Sequence, residues 1–237
     1  MHLPFWLCTG LLSPVLMAQA LHTRRTTLRL PEADGARHGQ WGHGAPSQRL
    51  LVIGESTAAG VGVEYQRQGL ASQLALQIYQ SRGVSVQWHT AGVNGARAGA
   101  LINTANDLRI APVDHIFISL GVNDTTGLTR RQAYYHQLLT LSHALKRHSP
   151  AARQYLLAVP PMHRFTALPS PLRQLLGWRA RQLDEQQKQL ARQHSGHLQH
   201  IHYPQLEDPA LLAVDGYHPG ALGYQTMARA VAAQLAD

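Results

Sequence analysis

Arg49-Leu50-Leu51-Val52-Ile53-Gly54-Glu55-Ser56 opens the folded part of the chain. Four consecutive apolar residues closing on a glycine show no alternation, so the segment reads as a strand buried on both faces, as in a parallel sheet covered by helices. The pattern returns downstream. Val84-Ser85-Val86-Gln87-Trp88, His115-Ile116-Phe117-Ile118-Ser119-Leu120, Tyr155-Leu156-Leu157-Ala158-Val159 and the weaker His200-Ile201-His202-Tyr203 predict four further strands. Between them apolar residues recur at helical spacing: Leu70, Leu74 and Ile78; then Tyr134, Leu138, Leu141 and Leu145; then Leu172, Leu175, Leu176, Leu183 and Leu190. A closing helix is predicted over 222–235. Strands alternating with helices imply an α/β fold, a three-layer α/β/α sandwich around a central parallel sheet of about five strands. Functional groups then belong at the carboxyl ends of the strands.

The 237 residues contain 44% hydrophobic and 14% charged residues, which excludes a disordered or fibrous chain. Once a leader and a linker are set aside, about 190 residues remain, enough for one domain with a substantial core. The single cysteine, Cys8, precludes a disulfide or a thiolate metal site in that domain. The net charge of +8 comes almost entirely from arginines, which are scattered without an interleaved aromatic stripe. That pattern reads as a solvated basic surface, and no nucleic-acid partner is expected.

Residues 3–21 carry no charge, and Phe5, Trp6, Leu7, Leu11, Leu12, Val15, Leu16 and Met17 make them apolar. Pro4 and Pro14 weaken the stretch as one straight membrane helix. Ala18-Gln19-Ala20 has the small-x-small form of a signal-peptidase site, but the preceding residues offer only His2 and the terminal amine as positive charge. Residues 1–21 are thus expected to be a signal peptide or an N-terminal membrane anchor. A retained anchor would keep Arg24, Arg25 and Arg29 on the cytoplasmic side. A helix packed on the domain is the third reading. The protein is expected to be membrane-associated or exported, with the side of the membrane left open. Residues 22–48, rich in Gly, Pro and polar types from residue 31 onward, read as a linker, and residues 49–237 as the domain.

Gly54-Glu55-Ser56, Gly121-Val122-Asn123-Asp124 and Asp215-Gly216-Tyr217-His218-Pro219 fall at or beyond the strand ends. Common one-motif explanations of the first cluster fail on spacing. A phosphate loop needs Gly-Lys-Ser/Thr, and no lysine lies between Arg49 and Arg130. A dinucleotide fingerprint needs a glycine where Tyr65 stands after Gly60-Val61-Gly62. A Gly-x-Ser-x-Gly elbow needs one where Ala58 stands. What remains is a serine just off the first strand, an asparagine off another, and an aspartate three residues before a histidine, the parts of an acyl-transfer site. A serine hydroxyl is a poor nucleophile until a base takes its proton, and an imidazole ionises near neutrality, which makes His218 the candidate among 15 histidines.

Over residues 49–235 the chain resembles the SGNH (GDSL-like) hydrolase superfamily. Its first block is matched by Gly54-Glu55-Ser56, its second by Asn94-Gly95, its third by Gly121-Val122-Asn123-Asp124 and its fifth by Asp215-Gly216-Tyr217-His218-Pro219. Glu55 departs from the pattern, since the family usually has aspartate there. The resemblance implies a flavodoxin-like topology and a serine esterase that forms an acyl-serine intermediate without a cofactor. It assigns Ser56, Asp215 and His218 as the catalytic residues, with Asp215 orienting the imidazole. It also assigns the oxyanion donors to the backbone N–H groups of Ser56 and Gly95 and the side-chain amide of Asn123. Asp124 reads as structural, a cap for the next helix.

Met162 and Phe165, with Trp178 as a further candidate, are expected to line an acyl pocket beyond the fourth strand. His194, His197, His200 and His202 have spacings that suit a metal, but they straddle a helix end and a strand, and no metal is expected. The expected partner is a small-molecule or lipid ester, with membrane contact through the N-terminal segment and a monomeric state. Relatives within the superfamily cleave lipid esters, thioesters and acetylated sugars, and nothing in the sequence selects among them. The competing reading is a non-catalytic membrane-anchored binding domain on the same fold. Intact Ser56, Asn123, Asp215 and His218 argue against it. A nucleotide binder is disfavoured by the missing phosphate loop.

Overall fold

The computed structural model describes residues 3–204, 206 and 208–235. Six strands form one sheet: β1 (His38–Trp41), β2 (Gln48–Gly54), β3 (Val86–Gly92), β4 (His115–Ser119), β5 (Arg153–Leu157) and β6 (Leu198–Ile201). Their spatial order is β1-β3-β2-β4-β5-β6. The last five are mutually parallel, and β1 runs antiparallel to β3. Taken alone, the parallel strands have the flavodoxin-like 2-1-3-4-5 order. The expected α/β sandwich and its five parallel strands are therefore present, with an additional antiparallel edge.

The unbroken apolar runs follow from burial on both faces. In β2, Leu51 and Ile53 point into one core and Leu50 and Val52 into the other; in β4, Ile116 and Ile118 face opposite to Phe117. Alternation exists, but both faces are dry, so every position favours an apolar residue. Helices α4 (Ala98–Asn106), α6 (Arg131–His148) and α7 (Leu172–Gln193) cover the first core. Helices α3 (Leu70–Arg82) and α8 (Ala221–Ala232) cover the second. Helix α4 and the short α5 (Val122–Thr126), which follows β4, have no long apolar stripe in sequence to announce them.

The segment read as a linker holds β1. Its four residues are exposed and half-buried in alternation, so no apolar run announces them. What fixes the strand is backbone pairing with β3, helped by Gly39 lying flat on Trp88, whose ring is 2.7 Å from where a Cβ would stand. Glu32 and Asp34 are also tied in: Glu32 Oε1 accepts from the Asn94 N–H at 2.7 Å, and Asp34 accepts from the Gln66 N–H at 2.8 Å.

Residues 3–26 form α1 (Leu3–Leu11) and α2 (Ser13–Thr26), bent by 76° at their junction. Phe5 and Leu16 are buried against the domain, and Gln19 bridges the chain before α7, donating to the Ser170 carbonyl at 2.6 Å and accepting from the Leu172 N–H at 3.0 Å. Met1 and His2 of the leader lie outside the described residues. Among the described residues no single helix is long and apolar enough to cross a membrane, although the bent pair together has the length and composition of a broken span.

Candidate active site

The site lies where the strand order reverses. β2 is the first parallel strand, and the chain turns from it toward β3 on one side and β4 on the other, which opens a crevice at their carboxyl ends. Ser56 leaves β2, Asn94 and Gly95 leave β3, and Asn123 leaves β4. Gly54 is required at this junction because a Cβ there would sit 1.9 Å from the Ser119 carbonyl oxygen.

Asp215 and His218 come from the loop before α8. That loop is pinned as a tight hairpin: the Ala213 N–H donates to the His218 carbonyl at 2.8 Å, and Leu212 bridges Pro219. Gly62, at φ +102°, lets the loop descend on the Ser56 turn, since a Cβ would meet the Pro219 carbonyl oxygen at 2.4 Å. The three side chains meet in sequence. Ser56 Oγ lies 2.9 Å from His218 Nε2, and His218 Nδ1 lies 2.6 Å from Asp215 Oδ2. Asp215 Oδ1 accepts from the N–H groups of Tyr217 and His218, each at 3.0 Å, so the carboxylate is fixed by its own loop. Burial opposes its charge, but the His218 ring and the two N–H donors outweigh burial and hold the carboxyl below the ordinary aspartate range. The Asp215 side chain is 1% exposed and that of His218 27%, so the imidazole is the more accessible of the pair.

Glu55 has a definite task. Its Oε1 accepts from the Val122 N–H at 2.8 Å, its Oε2 from the Asn123 N–H at 2.9 Å, and Oε2 also accepts from the Asn123 side-chain amide. The carboxyl therefore sets the orientation of Asn123 from the neighbouring strand end. Burial pushes its pKa up to about 7, against the pull of the Asn123 and Val122 N–H groups. Among the described residues, the N–H groups of Ser56 and Gly95 meet no acceptor. Asp124, fully buried, accepts from the Ala98 N–H at 2.9 Å. Ala98 is the first residue of α4, so Asp124 caps that preceding helix rather than the next one.

A family model described as GDSL-like lipase/acylhydrolase matches residues 52–226. The chain belongs to the GDSL-like lipase/acylhydrolase family. It is a hydrolase acting on esters. Similar solved structures include a lipolytic protein of the G-D-S-L family from Veillonella parvula, 17% identical over 79% of this chain and 97% of its own, with a TM-score of 0.60. The psychrotrophic esterase EstA from Pseudoalteromonas sp. is 18% identical over 77% of this chain and 93% of its own, with a TM-score of 0.56. Axe2, an acetylxylan esterase from Geobacillus stearothermophilus, is 19% identical over 78% and 92%, with a TM-score of 0.55. At these identities the likeness is one of fold. No curated protein matches the chain in sequence.

The crevice of this family member has a volume of about 490 Å³ and is lined by Ser56, Asn94, Asn123, Asp215 and His218 together with Met162 and Phe165. Trp178 is not among its walls; it packs edge-on against Phe5, with ring centroids 5.4 Å apart. One wall had no signal in the sequence. Thr23, Arg24, Thr27, Leu28, Arg29 and Leu30, in the segment read as a linker, face the same crevice. His194 and His197 make ring contacts with each other, and His200 Nε2 lies 2.9 Å from Asp184 Oδ1. Among the described residues no three His, Cys, Asp or Glu side chains converge as a metal site would require.

Proposed function

We propose that the chain is a serine esterase working through an acyl-serine intermediate, with Ser56 as nucleophile, His218 as general base and Asp215 as the carboxylate that orients it. The supporting observation is the continuous hydrogen-bonded line from Ser56 Oγ through both His218 nitrogens to Asp215. As Ser56 Oγ attacks the ester carbonyl, Nε2 takes its proton, and the ionised Asp215 stabilises the resulting imidazolium. The carbonyl oxygen becomes an anion. Its donors in this reading are the Ser56 and Gly95 N–H groups and the Asn123 amide. That amide has two hydrogens, one committed to Glu55 and one left for the crevice. Collapse of the tetrahedral species expels the alcohol with the proton from His218. Water then attacks the acyl-serine by the same route, and Ser56 is regenerated.

The crevice falls within the ordinary range of small-molecule sites. Met162, Phe165 and Leu168 on one side and Leu28 and Leu30 on the other supply apolar walls, which suits the acyl part of a small or lipid ester. Activity against acyl esters of graded chain length, measured on wild type and Phe165→Ala, tests this. Loss of the longer chains with retention of acetyl esters is expected; an unchanged profile would remove Phe165 from the acyl wall.

We also propose that α1 and α2 bring the enzyme to a membrane. Leu3, Leu7, Leu11, Val15, Met17 and Leu21 are exposed on this pair, an apolar surface that nothing in the described chain covers.

A further inference from the structure

A cavity larger than the crevice of Ser56 lies elsewhere among the described residues. It is an open groove of about 910 Å³ between the start of α6, the middle of α7 and the tip of α1, and it shares no residue with the crevice. Arg130, Arg131 and Arg179 line it, with Tyr135, His136 and the Trp6 ring, and among the described residues that frame it none carries a carboxylate. Helix α6 has 18 residues, no acidic residue in its first turn and, among the described residues, no side chain capping its N-terminus, so its positive dipole end lies beside this space.

Arg179 is the independent sign of a ligand. It is 1% exposed, and a guanidinium is rarely taken so far out of water without an anion. One terminal nitrogen donates to Gln182 Oε1 at 2.7 Å and the other to the Thr129 carbonyl, while Nε is buried with no hydrogen-bond partner. Both acceptors are neutral. The rings of Phe5 and Trp6 lie 5.2 and 5.4 Å from the guanidinium carbon, which shields the charge without neutralising it. Burial first, and the neighbouring Arg131 second, disfavour the protonated form of Arg179, so the two cations are close enough to repel. An anion held among them would relieve both costs.

We propose that this groove is a binding site for a phosphate group, held by Arg179 from below, by Arg130 and Arg131 from the rim and by the amino end of α6. Three guanidinium groups and a helix end match the charge and multiple acceptors of a phosphomonoester better than those of a single carboxylate. Trp6 closes one side, so the complete site requires that α1 is retained. The proposal stands apart from the esterase reading, since it uses none of the same residues. The phosphate could come from a soluble phosphomonoester or from a lipid headgroup beside the exposed leucines of α1.

The test uses the full-length protein. It is titrated with inorganic phosphate and with glycerol 3-phosphate, followed by calorimetry and tryptophan fluorescence, and floated with phosphatidylcholine vesicles with and without phosphatidic acid. Because Arg179 is buried and its loss endangers the fold, Arg130→Gln and Arg131→Gln carry the test. Saturable binding that each variant weakens by about tenfold or more, with hydrolysis of a short soluble ester unchanged, is expected. Binding of the soluble anions identifies a free phosphomonoester site; binding only to phosphatidic acid vesicles, lost in the variants, identifies a headgroup site. Absence of soluble binding with equal flotation on both vesicle types overturns the proposal. So does binding that neither arginine variant weakens.

Discussion

Asn123 is held on two sides, by its backbone N–H and by its side-chain amide, both on Glu55. An amide pre-aimed in this way acts on the charge that develops in the transition state more than on the ground-state carbonyl. Asn123→Ala should therefore lower kcat by about a hundredfold to a thousandfold with little change in KM. A variant altered only in KM would remove Asn123 from the oxyanion role. Asp215 has a depressed pKa, so it remains ionised through the working range. Asp215→Asn should cut turnover by about four orders of magnitude while leaving substrate binding nearly intact. Ser56, Asn123, Asp215 and His218 were legible in the sequence because each is a chemically distinctive residue at a strand end or in a short motif. The role of Glu55 was not, since its partners are backbone N–H groups 67 and 68 residues away.

Glu55 also acts between elements, clamping the end of β2 to the start of α5. Its carboxyl rises from 4.5 to about 7 on folding, so between those values the native state holds more protons than the unfolded chain. Stability from this group is complete below pH 4.5 and is lost as pH rises through about 7, by a few kcal/mol in all. Denaturant unfolding of wild type and Glu55→Gln at pH 5 and about pH 8 checks this: the wild type should lose stability across the interval more steeply than the variant. Parallel slopes would mean that Glu55 does not carry the titration. β2, β4 and β5 could be read because both faces of each are buried, which writes a continuous apolar run into the chain. β1 could not, because an edge strand with solvent on one side is fixed by pairing, and pairing leaves no composition signal. The same holds for residues 23–30, whose apolar members Leu28 and Leu30 are too few to show a period.

Across the whole molecule, the amino-terminal residues are built into the fold. Trimming the chain to begin at Pro46 would remove β1, the Glu32 contact to Asn94 and one wall of the crevice. Such a chain should melt well below the full-length protein and show a raised KM, whereas one beginning at Leu21, which loses the packing of Phe5 and Leu16 and the Gln19 bridge but keeps β1 and the crevice wall, should melt between the two and remain active. Equal stability of the Pro46 chain would show that the edge strand contributes little. Full-length protein should fractionate with membranes and the Leu21 chain should not; a full-length protein found wholly in the soluble fraction with Met1 intact would end the membrane reading.

A fluorophosphonate reports the proposed nucleophile directly, by forming a covalent bond with an activated serine. Peptide mapping of the labelled wild type should place the adduct on Ser56, and Ser56→Ala, folded as judged by its melting curve, should take no label and hydrolyse no ester. An adduct on another residue, or labelling of Ser56→Ala at the wild-type rate, would contradict Ser56 as the nucleophile.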